Sequence, residues 1–470
     1  MPSISSVLLQ SGVSFGTSGA RGLVTSFTDQ VCAAFAQSFA CVMQYSFSFK
    51  RIAIGIDNRP SSPQMAAACA GALESMGYVV DYYGVLPTPA LAYQAMLDKV
   101  PAIMVTGSHI PFDRNGLKFY RPDGEITKYD EQAIINVSDE LISSIAVLPA
   151  ISSVASDNYI KRYLDIFPKQ MLAGKRIGIY EHSSAGRDLY QKVFKMLGAE
   201  ITSLERTNTF VPIDTEAVTD ADKQKGVDWS KRYSFDVIFS TDGDGDRPLI
   251  ADENGQWLRG DIVGLLCAKA LGIQSLAIPV SCNTAIEKAE IFSSVVRTKI
   301  GSPYVIAAFA NLNGFVAGFE ANGGFILGSD ITVAGKMLKA LPTRDALLPG
   351  LALLALAGEQ PLSNLTANLP QRYTASDRLQ QVPTQWSQNF IAKTALSPVE
   401  FLVLLEQRSR QIQNIDQTDG LRMQFVDGDI VHLRSSGNAP ELRCYVESAE
   451  EAEAQHLVQV ILSAVKGLLN

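Results

Sequence analysis

RIAIGID, residues 51–57, is the stretch from which the fold of this 470-residue chain can be worked out. Its apolar run is typical of a strand that is buried on both faces of a sheet. Two later runs share the pattern, RIGIYE at residues 176–181 and LAIPVS at residues 276–281. The first two runs are each followed by a helical segment that ends at a glycine, Gly77 or Gly198, and by another strand. The sequence therefore predicts a repeated α/β unit.

Three further apolar runs each end in a polar residue. PAIMVTGS ends at Ser108, FDVIFSTD at Asp242 and GFVAGFE at Glu320. Groups just beyond the carboxyl ends of strands line the ligand crevice of α/β domains. We therefore expect these three residues to face one cleft.

The repeats predict the domain boundaries. We place α/β domains at residues 1–152, 153–257 and 258–372. From Tyr373 the pattern changes to a helical run at residues 401–412, three β-rich runs and a final helix. This pattern is typical of a small α+β domain with an antiparallel sheet, here over residues 373–470.

The composition excludes several classes of protein. The net charge of −8 argues against general binding to nucleic acid or to an anionic membrane, so a phosphate site must be built from local groups. The beginning of the sequence does not resemble a secretory signal, and the most apolar stretch, residues 346–357, is too short to span a bilayer. The six cysteines contain no C-x-x-C pair, which fits free thiols in a reducing compartment, and we expect a cytoplasmic protein.

The most specific local signal is STDGDGDR, residues 240–247, in which carboxylates at Asp242, Asp244 and Asp246 alternate with glycines. Like charges this close together need a cation, and hard oxygen ligands suit Mg²⁺ or Ca²⁺. An EF-hand does not fit, because Arg247 occupies the loop position that needs glycine and because the preceding sequence is strand-like. The sequence predicts a Mg²⁺ site here in preference to a solvated acidic turn.

Three other loops carry candidate chemistry. VTGSHIPFDRNGLK, residues 105–118, predicts a loop with an exposed serine, Ser108, as a nucleophile, although it is not a G-x-S-x-G elbow. LRSSGNAPELR, residues 433–443, offers two arginines, hydroxyls and a glycine, which fits a phosphate nest as well as a hairpin connection. FEANGG, residues 319–324, offers Glu320 either as an acceptor for sugar hydroxyls or as a structural carboxylate.

These four loops, in this order, resemble those of the α-D-phosphohexomutase superfamily, which includes phosphomannomutases and phosphoglucomutases. FGTSGARG at residues 15–22, GIDNRPSS at 55–62 and LPTPAL at 86–91 also resemble motifs of that family, so the resemblance covers essentially the whole chain. It implies four domains around a central cleft, three of them repeated α/β domains with mixed sheets and the last a C-terminal α+β domain. Two loops depart from the commonest pattern, which is E-x-S-G-H for residues 320–324 and S-G-T-E-P for residues 436–440.

The resemblance also implies a role for each matched residue. Ser108 matches the residue that carries the phosphoryl group and, with Asp242, Asp244 and Asp246, the Mg²⁺ ligands. The other residues matched to catalysis are Arg21, His109, Lys118 and Arg247. The residues matched to substrate binding are Thr298, Gly301, Glu320, Asn322, Arg434, Ser436, Gly437, Asn438 and Arg443.

The implied activity is that of an isomerase of carbohydrate metabolism acting on small hexose phosphates. Phospho-Ser108 donates its phosphoryl group to a hexose monophosphate, and the resulting hexose 1,6-bisphosphate turns around and returns its other phosphate. The general base is Lys118 or His109, and the sequence does not choose between them. We expect a monomer or a homodimer that binds neither nucleic acid nor a membrane.

Three alternatives remain open at this stage. Within the family, the sequences EANGG and SGNAP favour mannose phosphate, with glucose phosphate and glucosamine phosphate as the other substrates. A metal-dependent sugar phosphatase normally uses histidine ligands, and the four histidines of this chain are dispersed. An inactive sugar-phosphate sensor typically loses the serine or an aspartate, and this chain keeps them.

Overall fold

A computed structural model describes residues 2–16, 19–142, 144–407, 409–436 and 440–469. Its strands form four main sheets, and each sheet is built from one consecutive stretch of the sequence. No helix within these ranges is long and apolar enough to cross a bilayer. All six cysteines are free, and five of them are buried.

The first sheet mixes parallel and antiparallel strands. The elements around it are α1 (Ile4–Gln10), β1 (Ser14–Phe15), β2 (Ala20–Leu23), α2 (Asp29–Gln44), β3 (Arg51–Ile56), α3 (Ser62–Ser75), β4 (Val79–Val85), α4 (Thr88–Asp98), β5 (Ala102–Val105), β6 (Arg114–Arg121), β7 (Gly124–Glu125) and α5 (Lys128–Ile135). The strand order is β1-β2-β6-β5-β3-β4, and β7 pairs with β6. A short 3₁₀ helix, Val24–Ser26, follows β2.

The second sheet has four strands. The elements around it are α6 (Val154–Leu164), β8 (Arg176–Tyr180), α7 (Arg187–Met196), β9 (Glu200–Leu204), α8 (Asp220–Tyr233), β10 (Val237–Thr241) and β11 (Pro248–Ala251). The strand order is β11-β10-β8-β9.

The third stretch forms a five-stranded mixed sheet and a small two-stranded ribbon. Its elements are α9 (Gly260–Ala270), β12 (Ser275–Pro279), α10 (Ala285–Lys288), β13 (Ser294–Thr298), α11 (Ser302–Ala308), a 3₁₀ helix (Phe309–Asn311), β14 (Val316–Phe319), β15 (Phe325–Leu327), β16 (Ile331–Val333), β17 (Lys336–Leu338), β18 (Leu341–Asp345), α12 (Leu347–Ala357) and α13 (Ser363–Ala367). The sheet order is β13-β12-β14-β15-β18, and the ribbon is β16-β17.

The fourth sheet is entirely antiparallel. Its elements are β19 (Tyr373–Gln380), α14 (Thr384–Leu396), α15 (Pro398–Leu404), β20 (Ile412–Asp416), β21 (Leu421–Phe425), β22 (Ile430–Ser435), β23 (Glu441–Ser448) and α16 (Glu451–Gly467). The order is β19-β23-β22-β21-β20. This sheet, after three mixed sheets, confirms the predicted fold class, while the exact domain boundaries stay predictions.

The predicted internal repeat is present in the strand pairing. The three runs recognised in the sequence are β3, β8 and β12, and each pairs in parallel with two neighbours. In each repeat one of these neighbours, β5, β10 or β14, pairs in antiparallel fashion with the strand that follows it. Those three strands end just before Ser108, Asp242 and Glu320. The repeat thus gives equivalent positions to the three polar residues.

The apolar core shows how the sheets are joined. One continuous cluster of buried side chains runs from Ala53 to Leu369 and so includes parts of the first three sheets. The fourth sheet has a separate core, from Val382 to Val465. Polar contacts connect it to the rest, for example the backbone N–H of Ile300, which donates to the Asp419 carboxylate at 2.9 Å.

The helical run predicted at residues 401–412 is wrong in its second half. Helix α15 ends at Leu404, and β20 begins at Ile412. Glu406 has a left-handed backbone with φ of +59°, and the next N–H, that of Gln407, donates back to the carbonyl oxygen of Leu402. A local helix cap therefore ends the helix, although the apolar spacing continues beyond it.

Candidate active site

The metal-binding loop predicted from the sequence lies between β10 and β11. Its three carboxylates are buried, and each offers an oxygen that lies within 4.8 Å of the others; they belong to Asp242, Asp244 and Asp246. One oxygen of Asp244 and one of Asp246, the Oδ1 atom in each case, are buried with no hydrogen-bond partner among the described residues. Buried carboxylate oxygens without donors are what a hard divalent cation requires, so these residues fit Mg²⁺.

The glycines of this loop are needed for close packing. A Cβ atom on Gly243 would lie 2.7 Å from the carbonyl oxygen of Ser108. Gly245 has a φ of +71°, and a Cβ atom there would lie 2.3 Å from the Tyr190 hydroxyl. The alternation of aspartate and glycine therefore lets the metal loop lie directly against the serine loop.

Cations from other elements balance the charge of the aspartates. Lys118 on β6 donates to Oδ2 of Asp244 at 2.5 Å and to Oδ2 of Asp246 at 2.6 Å. Burial alone would raise the pKa of both carboxyls, but Lys118 beside Asp244 and Arg344 beside Asp246 hold each pKa below its usual value. Burial and then the two neighbouring aspartates raise the pKa of Asp242 well above its usual value. The pKa of Asp242 is therefore shifted in the opposite direction to those of Asp244 and Asp246.

Ser108 lies on top of this loop, and it is fully buried instead of exposed as the sequence predicted. The reason is that the metal loop covers it: the Ser108 hydroxyl donates to Oδ2 of Asp242 at 2.6 Å. Ser108 also has a left-handed backbone, with φ of +55°, which is uncommon for a residue other than glycine. The backbone N–H of Ser108 donates to the Thr106 hydroxyl at 2.8 Å, which supports this conformation.

A buried arginine, Arg59, holds the serine loop in place. Its Nε atom donates to Asp57 at 3.2 Å. Its other nitrogens donate at 2.6–3.0 Å to four carbonyl oxygens of the loop, those of Ser108, Ile110, Pro111 and Arg114. Arg59 belongs to the motif GIDNRPSS at residues 55–62, but the sequence alone assigns it no role.

His109 and Arg247 form a direct contact beside Ser108. Nη1 of Arg247 lies 2.9 Å from Nδ1 of His109, and because arginine can only donate, Nδ1 is the acceptor. Burial, and then the Arg247 guanidinium, lower the pKa of His109 to about 3. His109 is therefore neutral at pH 7, with its proton on Nε2.

Three arginines add positive charge beside the triad, namely Arg21, Arg247 and Arg344. Burial and then the charges of Arg247 and Arg344 lower the pKa of Arg21 to about 10. Arg247 and Arg344 both approach the Asp246 carboxylate, with nitrogen–oxygen distances of 3.7 and 2.9 Å. Arg21 and Arg247 were both matched to catalysis in the sequence, whereas Arg344 was not.

The loop predicted to bind the sugar, residues 319–324 and here called the sugar loop, follows β14 and contacts the same network. Glu320 is buried, and its Oε2 atom accepts a hydrogen bond from Nη1 of Arg344 at 2.9 Å. Asn322 keeps the loop folded, because its side-chain Oδ1 accepts from the N–H of Gly324 at 3.0 Å. Thr298 is buried at the end of β13. It is followed by Gly301, which has a φ of +132° at the beginning of α11.

The predicted phosphate loop connects β22 to β23 in the fourth sheet. Arg434 and Arg443 are direct cross-strand partners, so their side chains lie on one face. Like charges in this position are unfavourable unless an anion balances them. Arg434 contacts Asp419 at 3.1 Å, and Arg443 contacts Glu441 at 3.3 Å. Ser436 is buried beside them, and the two remaining predicted residues, Gly437 and Asn438, lie outside the described residues.

Comparisons with known proteins agree with this geometry. Models of the phosphoglucomutase/phosphomannomutase family match residues 12–143 as alpha/beta/alpha domain I, 259–373 as alpha/beta/alpha domain III and 371–464 as the C-terminal domain. Together these matches span most of the chain. The fold and the site thus define a phosphohexomutase, and the chain belongs to the phosphoglucomutase/phosphomannomutase family, as the sequence motifs indicated.

Individual relatives cover nearly the whole chain. A phosphomannomutase of Salmonella muenchen is 57% identical over 466 residues, which are 98% of each protein. A phosphoglucosamine mutase of Deinococcus deserti is 27% identical over 96% of this chain and 98% of its own. Among solved structures, a phosphoglucomutase/phosphomannomutase family protein from Burkholderia thailandensis has a TM-score of 0.74 at 20% identity, covering 99% of this chain and 98% of that one.

Proposed function

We propose that this protein is a phosphomannomutase, which reversibly converts mannose 1-phosphate into mannose 6-phosphate. The observation that carries the mutase chemistry is the Ser108 hydroxyl, placed 2.6 Å from a carboxylate of the buried aspartate triad. The choice of mannose is supported by the 57% identity to a phosphomannomutase, against 27% to a phosphoglucosamine mutase.

In this proposal Ser108 carries the phosphoryl group between turnovers. The bond from phosphorus to Ser108 Oγ breaks while a bond to the free sugar hydroxyl forms, and the hydroxyl proton passes to a general base. The product of this half-reaction is a hexose 1,6-bisphosphate. After it has turned around, the reverse transfer returns its other phosphoryl group to Ser108.

We assign the metal site to Asp242, Asp244, Asp246 and the phosphorylated Ser108. Bound Mg²⁺ would supply positive charge that stabilises the serine oxygen as it leaves and reduces repulsion of the substrate phosphate. Arg247 and Arg21 add further positive charge beside the triad. With donor and acceptor aligned, charge neutralisation is most of what phosphoryl transfer needs from a protein.

The contacts favour Lys118 over His109 as the general base. The acceptor nitrogen of His109 already receives a hydrogen bond from Arg247, and its other nitrogen carries the proton. Lys118 instead donates to oxygens of two aspartates, 2.5 and 2.6 Å from Nζ, so it is charged in this arrangement and can act as the base only after it has given up a proton. We therefore expect Lys118→Ala to reduce turnover more than His109→Ala does.

We infer that the fourth sheet holds the phosphate that is not reacting. Arg434 and Arg443 face the same side of the sheet, and each is paired with a carboxylate that a phosphate can replace. Because this part of the chain has its own core, it can move relative to the first three sheets without exposing their core. Such a movement would let the bisphosphate turn while water is excluded during transfer.

The test is to follow mannose 1-phosphate and glucose 1-phosphate separately by ³¹P NMR, with Mg²⁺ and a trace of glucose 1,6-bisphosphate. We expect a 6-phosphate signal that grows faster with mannose, is lost in Ser108→Ala and is kept in a surface control, Ser153→Ala. Faster conversion of glucose 1-phosphate would overturn the substrate assignment. Release of free phosphate would instead identify a phosphatase, and no change with either sugar would overturn the proposed function.

A further inference from the structure

Arg344 is a buried cation in the site to which the sequence motifs assign no role. It lies in β18, the strand at the edge of the third sheet, and is only 1% exposed. A buried arginine requires carboxylate or carbonyl partners, because an uncompensated charge in the interior is strongly destabilising. The identity of these partners shows what the residue does.

The Arg344 guanidinium connects two functional loops. Its Nε and Nη2 atoms donate to Oδ2 of Asp246, at 3.1 and 2.9 Å. Its Nη1 atom donates to Oε2 of Glu320, at 2.9 Å. One rigid, planar group therefore contacts the metal loop of the second sheet and the sugar loop of the third.

The sugar loop has a glycine that makes room for this arginine. A Cβ atom on Gly324 would lie 2.5 Å from Cδ of Arg344 and 2.8 Å from its Cγ, closer than real atoms approach. The backbone of Gly324 does not need a left-handed conformation, so space is the reason for glycine here. The commonest family pattern has a histidine at the position of Gly324. Any side chain at this position would overlap Arg344, so the departure from the pattern at Gly324 makes room for the arginine.

The backbone that carries Arg344 is held on both sides. The hydroxyl of Thr343 donates to Glu125 at 2.9 Å. The carboxylate of Asp345 accepts from the backbone N–H of Leu347 at 2.9 Å and from the Tyr159 hydroxyl at 2.6 Å. The arginine therefore extends from a fixed point, which is what a residue that positions others requires.

We propose that Arg344 is a positioning residue that fixes the Glu320 carboxylate for the sugar and couples it to the metal loop through Asp246. The proposal rests on the proposed function, because it assigns Glu320 to the sugar hydroxyls. Oε2 of Glu320 is occupied by Arg344, so Oε1 is the oxygen that we assign to the sugar. If Arg344 moves, Glu320 loses its orientation and Asp246 loses two of its hydrogen bonds.

The experiment is a double-mutant cycle in which binding of mannose 1-phosphate is measured by calorimetry with Mg²⁺ present. We expect Arg344→Met and Glu320→Gln each to weaken binding by about 10- to 100-fold, the range found when groups that orient a ligand are removed. Because Arg344 acts through Glu320, the double variant should bind within about threefold of the weaker single variant. Effects that multiply would overturn the proposal, as would unchanged binding by Arg344→Met.

A second variant keeps the test valid if Arg344→Met does not fold. Gly324→Ala retains the arginine and both carboxylates but displaces the guanidinium, so it should weaken binding by at least about tenfold. Gly467→Ala is the matched control, because a Cβ atom there has nothing within 4 Å and needs no unusual backbone. Parent-like binding by Gly324→Ala would overturn the proposal. Turnover of the parent protein reports separately on the proposed function, since the cycle measures binding alone.

Discussion

Replacing Arg59 with methionine tests whether one side chain holds the nucleophile loop. The substitution keeps an apolar stem of similar length but removes all five hydrogen bonds that the arginine donates, four of them to carbonyl oxygens of residues 108–114. It also leaves the carboxylate of Asp57 buried without its cation, since both side chains are fully buried. The loop that carries Ser108 should therefore lose most of its local stability.

The expected loss of local stability follows from these contacts. Breaking a buried ion pair by removing one partner costs about 3–5 kcal/mol. Because 1.4 kcal/mol corresponds to a factor of ten, hydrogen exchange of a peptide covering residues 106–116 should become faster by about two to four orders of magnitude. Phosphorylation of Ser108 by glucose 1,6-bisphosphate should slow in parallel, because the loop is then ordered only part of the time.

A surface arginine provides the matched control. Arg51 is about half exposed and pairs with Asp81 at 2.8 Å, and such pairs contribute about 1 kcal/mol or less. Arg51→Met should therefore leave both the exchange of residues 106–116 and the rate of Ser108 phosphorylation nearly unchanged. Arg59 does not hold the loop if Arg59→Met changes the hydrogen exchange of residues 106–116 by less than about tenfold. The same conclusion follows if Ser108 of this variant is phosphorylated at the parental rate.

Three further predictions concern the metal loop and the buried histidines. Thr88→Val removes the hydroxyl that donates to Asp244 at 2.6 Å, so calorimetry should show Mg²⁺ binding weakened about tenfold, whereas Thr88→Ser should bind within threefold of the parent. Mg²⁺ should bind at least about tenfold more tightly after Ser108 is phosphorylated, because the phosphoryl group adds about two negative charges; equal affinities in a titration of both forms would contradict this. Burial lowers the pKa of His182 and of His432 to about 4, so between pH 6.5 and 4 the unfolded chain binds more protons. The unfolding free energy should then be constant above pH 7 and lower by about 2 kcal/mol per histidine at pH 5. Equal unfolding free energies at pH 7 and pH 5, measured by urea unfolding, would refute the lowered pKa of these histidines.

The parts of this structure that the sequence predicts are the ones encoded locally. A buried parallel strand requires only its own apolar run, so β3, β8 and β12 were recognisable one at a time and then as a repeat. The aspartates of the metal loop are similarly close in sequence, within residues 242–246, and their mutual repulsion already indicates a cation. The position of Ser108 at the end of a strand was predictable for the same reason.

The parts that the sequence does not predict depend on distant partners. Arg59 acts on carbonyl oxygens that are about fifty residues away, and Arg344 on a carboxylate 98 residues away. Nothing in the residues next to either arginine distinguishes it from a surface cation. The burial of Ser108 also escaped prediction, since the loop that covers it is 134 residues further along the chain.

The charges of the site favour the proposed pairing of metal and phosphate in it. Four carboxylates and four cations meet around the triad, namely Asp242, Asp244, Asp246 and Glu320 with Lys118, Arg21, Arg247 and Arg344. Burial raises the pKa of Asp242, but a bound divalent cation would favour its ionised form; these eight charges would then cancel, so the cation alone would leave an excess of two positive charges in a buried place. A phosphoryl group on Ser108 carries about two negative charges and restores the balance. Because burial makes uncompensated charge costly, the site should bind metal best when Ser108 is phosphorylated. Because the arginines already neutralise the aspartates, we expect metal binding to depend on whether Ser108 is phosphorylated.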